Sequence, residues 1–484
     1  MDKASQLDAI FLPRTLAVIG VSAGDDKFGS RFLRALLDFG FKGRIYSVNP
    51  KGGEVFGLPI YRSLADIPGP VESADIMVPA RFVPQVLEEC LAKGVKGVQI
   101  FSSGFTETGD PQAAALEKQL QEIASRGIRI IGPNCFGVYC PASGHTLLPG
   151  GDFPKESGPV AFISQSGGHA VEFAREARGR GIRFSKAVSY GNACDVNEAD
   201  LLEYMARDPE TKVITMYLEG PREGRRFLEL VRQTAPKKPI VIWKAGLTPA
   251  GRRAVRSHTG SLGGEEEVWQ ALFKQTAAIR AHGLEELADT AQALLTLPRT
   301  TGRRIGMVGG GGGISVAVTD ACAQVGLEVP PFDEAMRRRL AEILPPAGTM
   351  MRNPVDVGVP IVPPDMFRRV LETVAAADCV DTLIATQPLF YILSGRFGPL
   401  MASEEFIQTL IDVPAAVRDG SGKPVVIVLP VGGEEIEATD VERRRRQARD
   451  RYREMGILAL PTLDRAVRAV ANVVGYYERV ASTA

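Results

Sequence analysis

No CxxC pair occurs among the six cysteines, Cys90, Cys135, Cys140, Cys194, Cys322 and Cys379, so the pattern fits neither a disulfide framework nor a zinc site. Most are expected to be small buried hydrophobes. Net charge is lacking too: 57 Lys and Arg balance 57 Asp and Glu, leaving no overall field to draw the chain to nucleic acid or to an anionic membrane. The arginine run at 442–453 carries interleaved acids, Asp440, Glu442, Asp450 and Glu454, at helical spacing and reads as a solvated helix face; no aromatics are spaced there for base stacking. The longest apolar stretches, such as 424–431, fall far short of the ~20 residues that span a bilayer. The first residues carry acid early and show no basic segment followed by an apolar one, so the cytoplasm is the expected location.

What the chain has in quantity is glycine, 51 of 484 residues, and short β-rich apolar runs alternating with helical patterns. That alternation is the signature of βαβ units around parallel sheets, and the length predicts three domains. Strands are predicted at 16–19, 44–48, 73–77, 98–101 and 129–131, with helices such as 32–39 and 83–92 between them. A Pro-, Gly- and Ser-rich link over 139–154 shows no helical or strand period and predicts a boundary. Two later openings repeat one plan: the strand from Val160 running into Ser166-Gly167-Gly168, and the strand from Ile305 running into Gly309–Gly313. Each is followed at a similar distance by Gly-Ile-Arg-Phe or Gly-Leu-Glu-Val. The expected fold class is α/β: a Rossmann-like domain over 1–138, then two doubly wound, flavodoxin-like domains over 139–298 and 299–484.

The turn after the first strand, from Gly20 to Gly29, departs from GxGxxG spacing but still offers backbone N–H groups at a helix start, where a phosphate is held well. The second strand ends Val48-Asn49-Pro50-Lys51, with no acid for ribose hydroxyls. A lysine there suits an extra phosphate, as on NADP or on the 3′-phosphate of coenzyme A. Val78-Pro79-Ala80, Ser102-Ser103-Gly104 and Gly132-Pro133-Asn134-Cys135 follow later strands, at the sheet edge where open parallel sheets bind ligands.

Taken in order, these motifs resemble the coenzyme A-binding domain of the NDP-forming acyl-CoA synthetases, relatives of succinyl-CoA synthetase. The resemblance continues through Ile163–Gly168, Tyr217–Gly220, Ser257-His258-Thr259-Gly260-Ser261 and Asn353–Asp356, covering nearly the whole chain. It implies coenzyme A contacts at Gly20, Val21, Ser22, Lys27, Gly29, Asn49, Lys51, Pro79, Ser102, Ser103 and Asn134. It also implies a phosphate cradle of Ser166, Gly167 and Gly168, a phosphorylated His258, and Glu219 as its carboxylate partner. No metal site is implied on this chain.

Four histidines can each be weighed. His145, in the link, reads as a solvated loop residue, and His282 as a surface or capping residue at a turn into a helix. His169 enters the helix after Gly168 and reads as packing near the site. His258 lies in a segment, 245–264, with neither apolar period, ahead of a helix beginning near Glu265, so it reads as presented rather than packed. Imidazole near neutral pH has one nitrogen free to attack phosphorus, and a carboxylate on the other N–H would fix the tautomer.

The resemblance implies a reversible sequence in which acyl-CoA and phosphate give an acyl phosphate, His258 takes the phosphoryl group, and the phosphohistidine phosphorylates ADP or GDP. The short tail after the third domain leaves no room for an ATP-grasp module. Magnesium and nucleotide are therefore expected on an ATP-grasp partner subunit, in an assembly of two of each chain. Rival readings are a nucleotide-independent coenzyme A transferase and a non-catalytic acyl-CoA-binding regulator. The acyl group is not legible from motif spacing.

Overall fold

The computed structural model describes residues 5–24, 28–146, 153–259, 264–300, 302–309, 311–358, 363–393, 403–431 and 439–483. Two compact units divide the chain, Met1–Ala288 and Asp289–Ala484. Among the described residues no helix is long and apolar enough to cross a membrane.

The first unit holds two sheets. One comprises β1 (Thr15–Ile19), β2 (Arg44–Val48), β3 (Gly53–Val55), β4 (Leu58–Tyr61), β5 (Ser73–Ile76), β6 (Gly97–Ile100) and β7 (Arg129–Ile131), in the order β3-β4-β2-β1-β5-β6-β7. Every pairing is parallel except β3 with β4. The expected strands are all present, with β5 and β6 shifted by about a residue. Because β1 lies between β2 and β5, successive crossovers leave it in opposite directions. Its carboxyl end is thus the switch point where such sheets bind ligands, and Gly20 stands there.

The second sheet comprises β8 (Gly137–Cys140), β9 (His145–Thr146), β10 (Val160–Ser164), β11 (Phe184–Ser189), β12 (Val213–Leu218), β13 (Ile240–Lys244) and β14 (Ile279–Ala281). Its order is β14-β13-β12-β10-β11-β8-β9, with β8 and β9 added antiparallel at one edge. Here β10 is the switch strand, flanked by β11 and β12, and Gln165–Gly168 follow it.

Two expectations fail in this unit. The link predicted to lack strand period contributes β8 and β9, and His145 is fully buried rather than solvated. Its Nδ1 lies 2.8 Å from the Ile10 carbonyl, and its Nε2 lies 2.9 Å from Gln99 Nε2 and 3.2 Å from Asp75 Oδ2. Gln99 Oε1 accepts the Val138 N–H at 2.7 Å, so this polar group joins both sheets. A buried polar residue needs partners, and those of His145 are far away in the chain. The second failure is the segment around His258, which is helical over Pro249–Thr259. Its apolar side is short, Ala250, Ala254 and the buried Val255, but start signals are present: Pro249 occupies the first position, and the Thr248 hydroxyl accepts the Gly251 N–H at 3.0 Å.

The second unit carries four parallel strands, β15 (Ile305–Val308), β16 (Thr382–Thr386), β17 (Val425–Val428) and β18 (Leu458–Leu460), in that order. The repeated opening is visible: the helix Gly167–Gly179 follows β10 and the helix Gly312–Gln324 follows β15. The repeat then diverges, since Phe184 begins β11 whereas Glu328 makes only an isolated parallel bridge to Arg304. The arginine run lies on the helix Thr439–Glu454, where Glu442 pairs with Arg445 and Arg446, and Asp450 with Arg453.

Candidate functional site

At the carboxyl edge of the first sheet, Gly20 has φ +103° and donates its N–H to the Val48 carbonyl at 2.9 Å. A Cβ at Gly20 would lie 2.5 Å from the Met77 carbonyl oxygen, and one at Gly29 would lie 2.5 Å from that of Gly20. Neither position accepts a side chain, so the helix Phe28–Phe39 starts directly against the turn. Ser22 is tied to this helix by the Ser30 hydroxyl, which donates to its carbonyl at 2.7 Å. Val21 is fully buried and offers only backbone. The second turn is adjacent: Asn49 Oδ1 accepts the Lys51 N–H at 3.0 Å, Lys51 itself is exposed, and a Cβ on Gly53 would lie 3.9 Å from that of Ala23. Pro79 follows β5 at the same edge and is exposed. Lys27 lies outside the described residues.

A cleft of about 360 Å³ lies within this first unit. Ser102, Ser103 and Asn134 line it together with Ser166, Gly167 and Gly168, so three of the expected coenzyme A contacts share one cavity with the expected phosphate cradle. Asn134 has φ +57°, donates its N–H to the Ser102 carbonyl at 2.9 Å, and follows the cis Gly132–Pro133 bond.

Ser166 caps the helix Gly167–Gly179, its hydroxyl accepting the His169 N–H at 3.4 Å. The first N–H groups of a helix have no acceptor within it, and at Gly167 and Gly168 no side chain keeps an anion away. The helix dipole adds attraction for negative charge. The arrangement is chemically suited to hold an anion.

Glu219 directly follows β12 and is 2 % exposed. Gln165 Oε1 accepts the N–H groups of Glu219 at 2.9 Å and Gly220 at 3.3 Å, and the Tyr217 hydroxyl donates to Glu219 Oε1 at 3.1 Å. Cradle and carboxylate are therefore joined by one amide side chain. Burial, with the charge of Glu219, pushes the Tyr217 phenol up, so it stays a donor. The ring of His169 packs 4.4 Å from that of Tyr217 and 4.9 Å from that of Trp243, centroid to centroid, with Nδ1 3.2 Å from Glu172 Oε2. It is a packing residue beside the cradle. His258 is placed by backbone in the last turn of the helix Pro249–Thr259, and its side chain lies outside the described residues.

Several residues near the site had not been singled out. Lys244, paired with Leu218 across β12 and β13, is buried; burial lowers its ammonium to about 8, opposed by the charge of Glu219 and reinforced by Arg252. Its Nζ donates to the Ala245 carbonyl and stands 5.4 Å from the Trp269 ring. Cys135 lines the cleft with a thiol that burial pushes up to about 12. Asn192 Nδ2 donates to Glu107 at 2.6 Å and Glu117 at 2.9 Å, which ties the loops of the two sheets together. Burial would raise the Glu107 carboxyl, but donors from Asn192, Gly104 and Phe105 outweigh it and hold the group below its ordinary value. Phe28, Phe101 and Phe136 also line the cleft. A lysine ending a strand beside Tyr217-Leu218-Glu219 was a usable signal; the phenylalanines, scattered in sequence, carried none.

The family described as CoA binding domain matches residues 14–141, and that described as succinyl-CoA ligase like flavodoxin domain matches residues 157–294. The ADP-forming acetate–CoA ligase I subunit alpha of Pyrococcus furiosus is 38% identical over 96% of each chain. The ADP-forming acetate–CoA ligase of Methanocaldococcus jannaschii is 39% identical over 73% of this chain, which spans only 49% of that longer relative. Among solved structures, the dinucleotide-forming acetyl-coenzyme A synthetase 1 of Ca. Korarchaeum cryptofilum, in complex with phosphate and ADP, superposes with a TM-score of 0.81 at 31% identity, covering 99% of this chain and 98% of that one. This likeness along the full length shows that the chain belongs to the ADP-forming acyl-CoA synthetases, ligases joining acids to the thiol of coenzyme A.

Proposed function

We propose that this chain is the coenzyme A-binding, phosphohistidine-carrying subunit of its ligase, in which an acid, coenzyme A and ATP give acyl-CoA, ADP and phosphate, reversibly and by way of an acyl phosphate. The observation that carries the reading is the single cleft lined by Ser102, Ser103 and Asn134 on one side and by Ser166, Gly167 and Gly168 on the other. We read residues 1–138, 139–298 and 299–484 as its three domains.

Coenzyme A supplies the thiol that accepts the acyl group. The residues fit it: the turn at Gly20, packed so closely on the Met77 carbonyl that no Cβ is accommodated, stands at the carboxyl edge of β1, and Lys51 stands on the adjacent turn. The turn over Gly20, Val21 and Ser22, with the start of the helix Phe28–Phe39 behind it, would face the phosphates, and Lys51 would meet the 3′-phosphate. Ser166, Gly167 and Gly168 would hold the phosphoryl group without reorganising as charge develops. His258 would accept that group on one ring nitrogen while Glu219 takes the hydrogen bond of the other, keeping the attacking nitrogen unprotonated. Nucleotide and Mg²⁺ would be bound mainly by an ATP-grasp partner subunit, two of each chain assembling with closed symmetry. That the Pyrococcus relative is a subunit alpha and the Methanocaldococcus relative is about twice as long supports a missing partner.

The test is phosphate labelling of His258. After incubation with the partner, magnesium and nucleoside triphosphate, the chain is expected to carry acid-labile, base-stable phosphate that His258→Ala abolishes. Glu219→Gln is expected to keep the fold and slow labelling by roughly 10²-fold, comparable to other general acid–base contributions. A His258→Ala protein that still turns over with its partner, or wild-type turnover without nucleotide, would replace this reading with acyl transfer.

A further inference from the structure

Three aromatic rings, Phe28, Phe101 and Phe136, line the cleft beside the cradle. Phe101 and Phe136 are T-shaped, with centroids 5.0 Å apart and planes at 87°. Phe28 meets Phe101 at 4.9 Å, while Phe32, buried behind them, supports Phe101 at 4.5 Å. Phe28 is nevertheless 55 % exposed, a large apolar side chain left open at the wall of a cleft. Nor is there a gap between wall and cradle: a Cβ on Gly167 would lie 2.1 Å from Phe136 Cδ2. The first N–H donor of the cradle and the first apolar surface thus meet at a single residue.

We propose that Phe101 and Phe136, with Phe28 beside them, form the wall that receives the acyl substituent, and that the acid this chain handles carries an aryl group. The inference rests on the reading that an acyl phosphate meets the cradle at Ser166–Gly168. In such a compound one bridging oxygen separates phosphorus from the carbonyl carbon, so the acyl substituent is the first group beyond the cradle, and Phe136 is the first surface it reaches. A T-shaped pair offers a ring edge and a ring face, the two surfaces against which a third aromatic ring packs well. A methyl group would cover little of that wall and leave Phe28 in water. The polar lining, Ser102, Ser103 and Asn134, remains for carbonyl oxygen and thiol arm.

The experiment compares two stable mimics of acyl phosphates, phenylacetylphosphonate and acetylphosphonate, by calorimetry on the full chain with its partner. The aryl compound is expected to bind at least tenfold more tightly. Phe136→Ala is expected to bring that ratio to within about threefold, and Phe28→Ala, at an exposed position that folding does not depend on, to reduce it in the same direction. Steady-state kcat/KM for phenylacetate against acetate gives the second readout. Equal affinity of the two mimics for the wild-type complex overturns the aryl assignment alone. So does a Phe136→Ala protein that keeps the tenfold ratio but binds coenzyme A more weakly, since the wall then serves the cofactor. Failure of both mimics to bind, together with unlabelled His258, removes the ligase reading as well.

Discussion

Gln165 holds the backbone of Glu219: its side-chain oxygen accepts the Glu219 N–H at 2.9 Å while its own N–H donates to the Tyr217 carbonyl at 3.1 Å. The residue just ahead of the anion cradle therefore fixes where the buried carboxylate stands. Gln165→Leu removes that acceptor from two buried N–H groups, which costs about 1–3 kcal/mol of stability. It is also expected to slow His258 labelling more than the loss of stability accounts for. Denaturant midpoints and labelling rates, measured together, check this; a variant that loses stability yet labels at the wild-type rate would refute the link to Glu219.

Lys244 makes stability depend on pH. Its ammonium is lowered by burial to about 8 from an ordinary 10.5, so between those values the unfolded chain binds more protons than the folded one. This group's contribution therefore becomes more favourable as pH rises from 8 toward 10.5. Replacing it with Met is expected to raise the melting temperature relative to wild type at pH 7, with the difference shrinking by pH 10. A difference that stays constant across that range would show that Lys244 does not titrate there.

Cys135 lines the cleft with a buried thiol. With its thiol pushed up to about 12 by burial, almost none is thiolate at neutral pH. Iodoacetamide at pH 7.5 is expected to leave Cys135 unmodified in the native chain and to alkylate it once denaturant unfolds the first unit. Peptide mass mapping before and after unfolding decides it, and rapid native labelling would contradict the burial.

On the proposed reading, in which Lys51 meets the 3′-phosphate, this lysine sets a preference among ligands. Dephospho-coenzyme A is expected to bind more weakly than coenzyme A by about 1.5–3 kcal/mol, the worth of a charge-assisted contact, which calorimetry reads directly. Lys51→Ala should weaken coenzyme A and leave dephospho-coenzyme A nearly unchanged. Equal affinities for the two ligands, or tight NADH binding, would remove the argument from this residue.

The architecture was readable where apolar runs end abruptly in glycine. β1 and β7, whose apolar runs stop at Gly20 and Gly132, and the helix after β10 stand where local pattern put them, because parallel strands buried on both faces need continuous apolar residues. Long-range chemistry was not readable. His145 sits among Pro, Gly and Ser, and only the fold brings it Ile10, Asp75 and Gln99. The helix carrying His258 has only a short apolar side, Ala250, Ala254 and Val255, and its clearest local signal is the start at Thr248 and Pro249. The aromatic wall assembles from three separate loops and helix starts, and no period in the chain relates Phe28 to Phe136.

The hairpin of β8 and β9 pairs with the second sheet, yet its side chains complete the first. Severing the chain after residue 138 would strand Asp75 and Gln99 without the ring of His145, and would take from Phe11 the hydroxyl of Ser143 that donates to its carbonyl at 2.7 Å. Each fragment would inherit an unfinished interior. Chimeras with related ligases are therefore better spliced by exchanging the whole of the first unit, and a scheme that treats the coenzyme A-binding half as a portable cassette would have to carry the hairpin along with it.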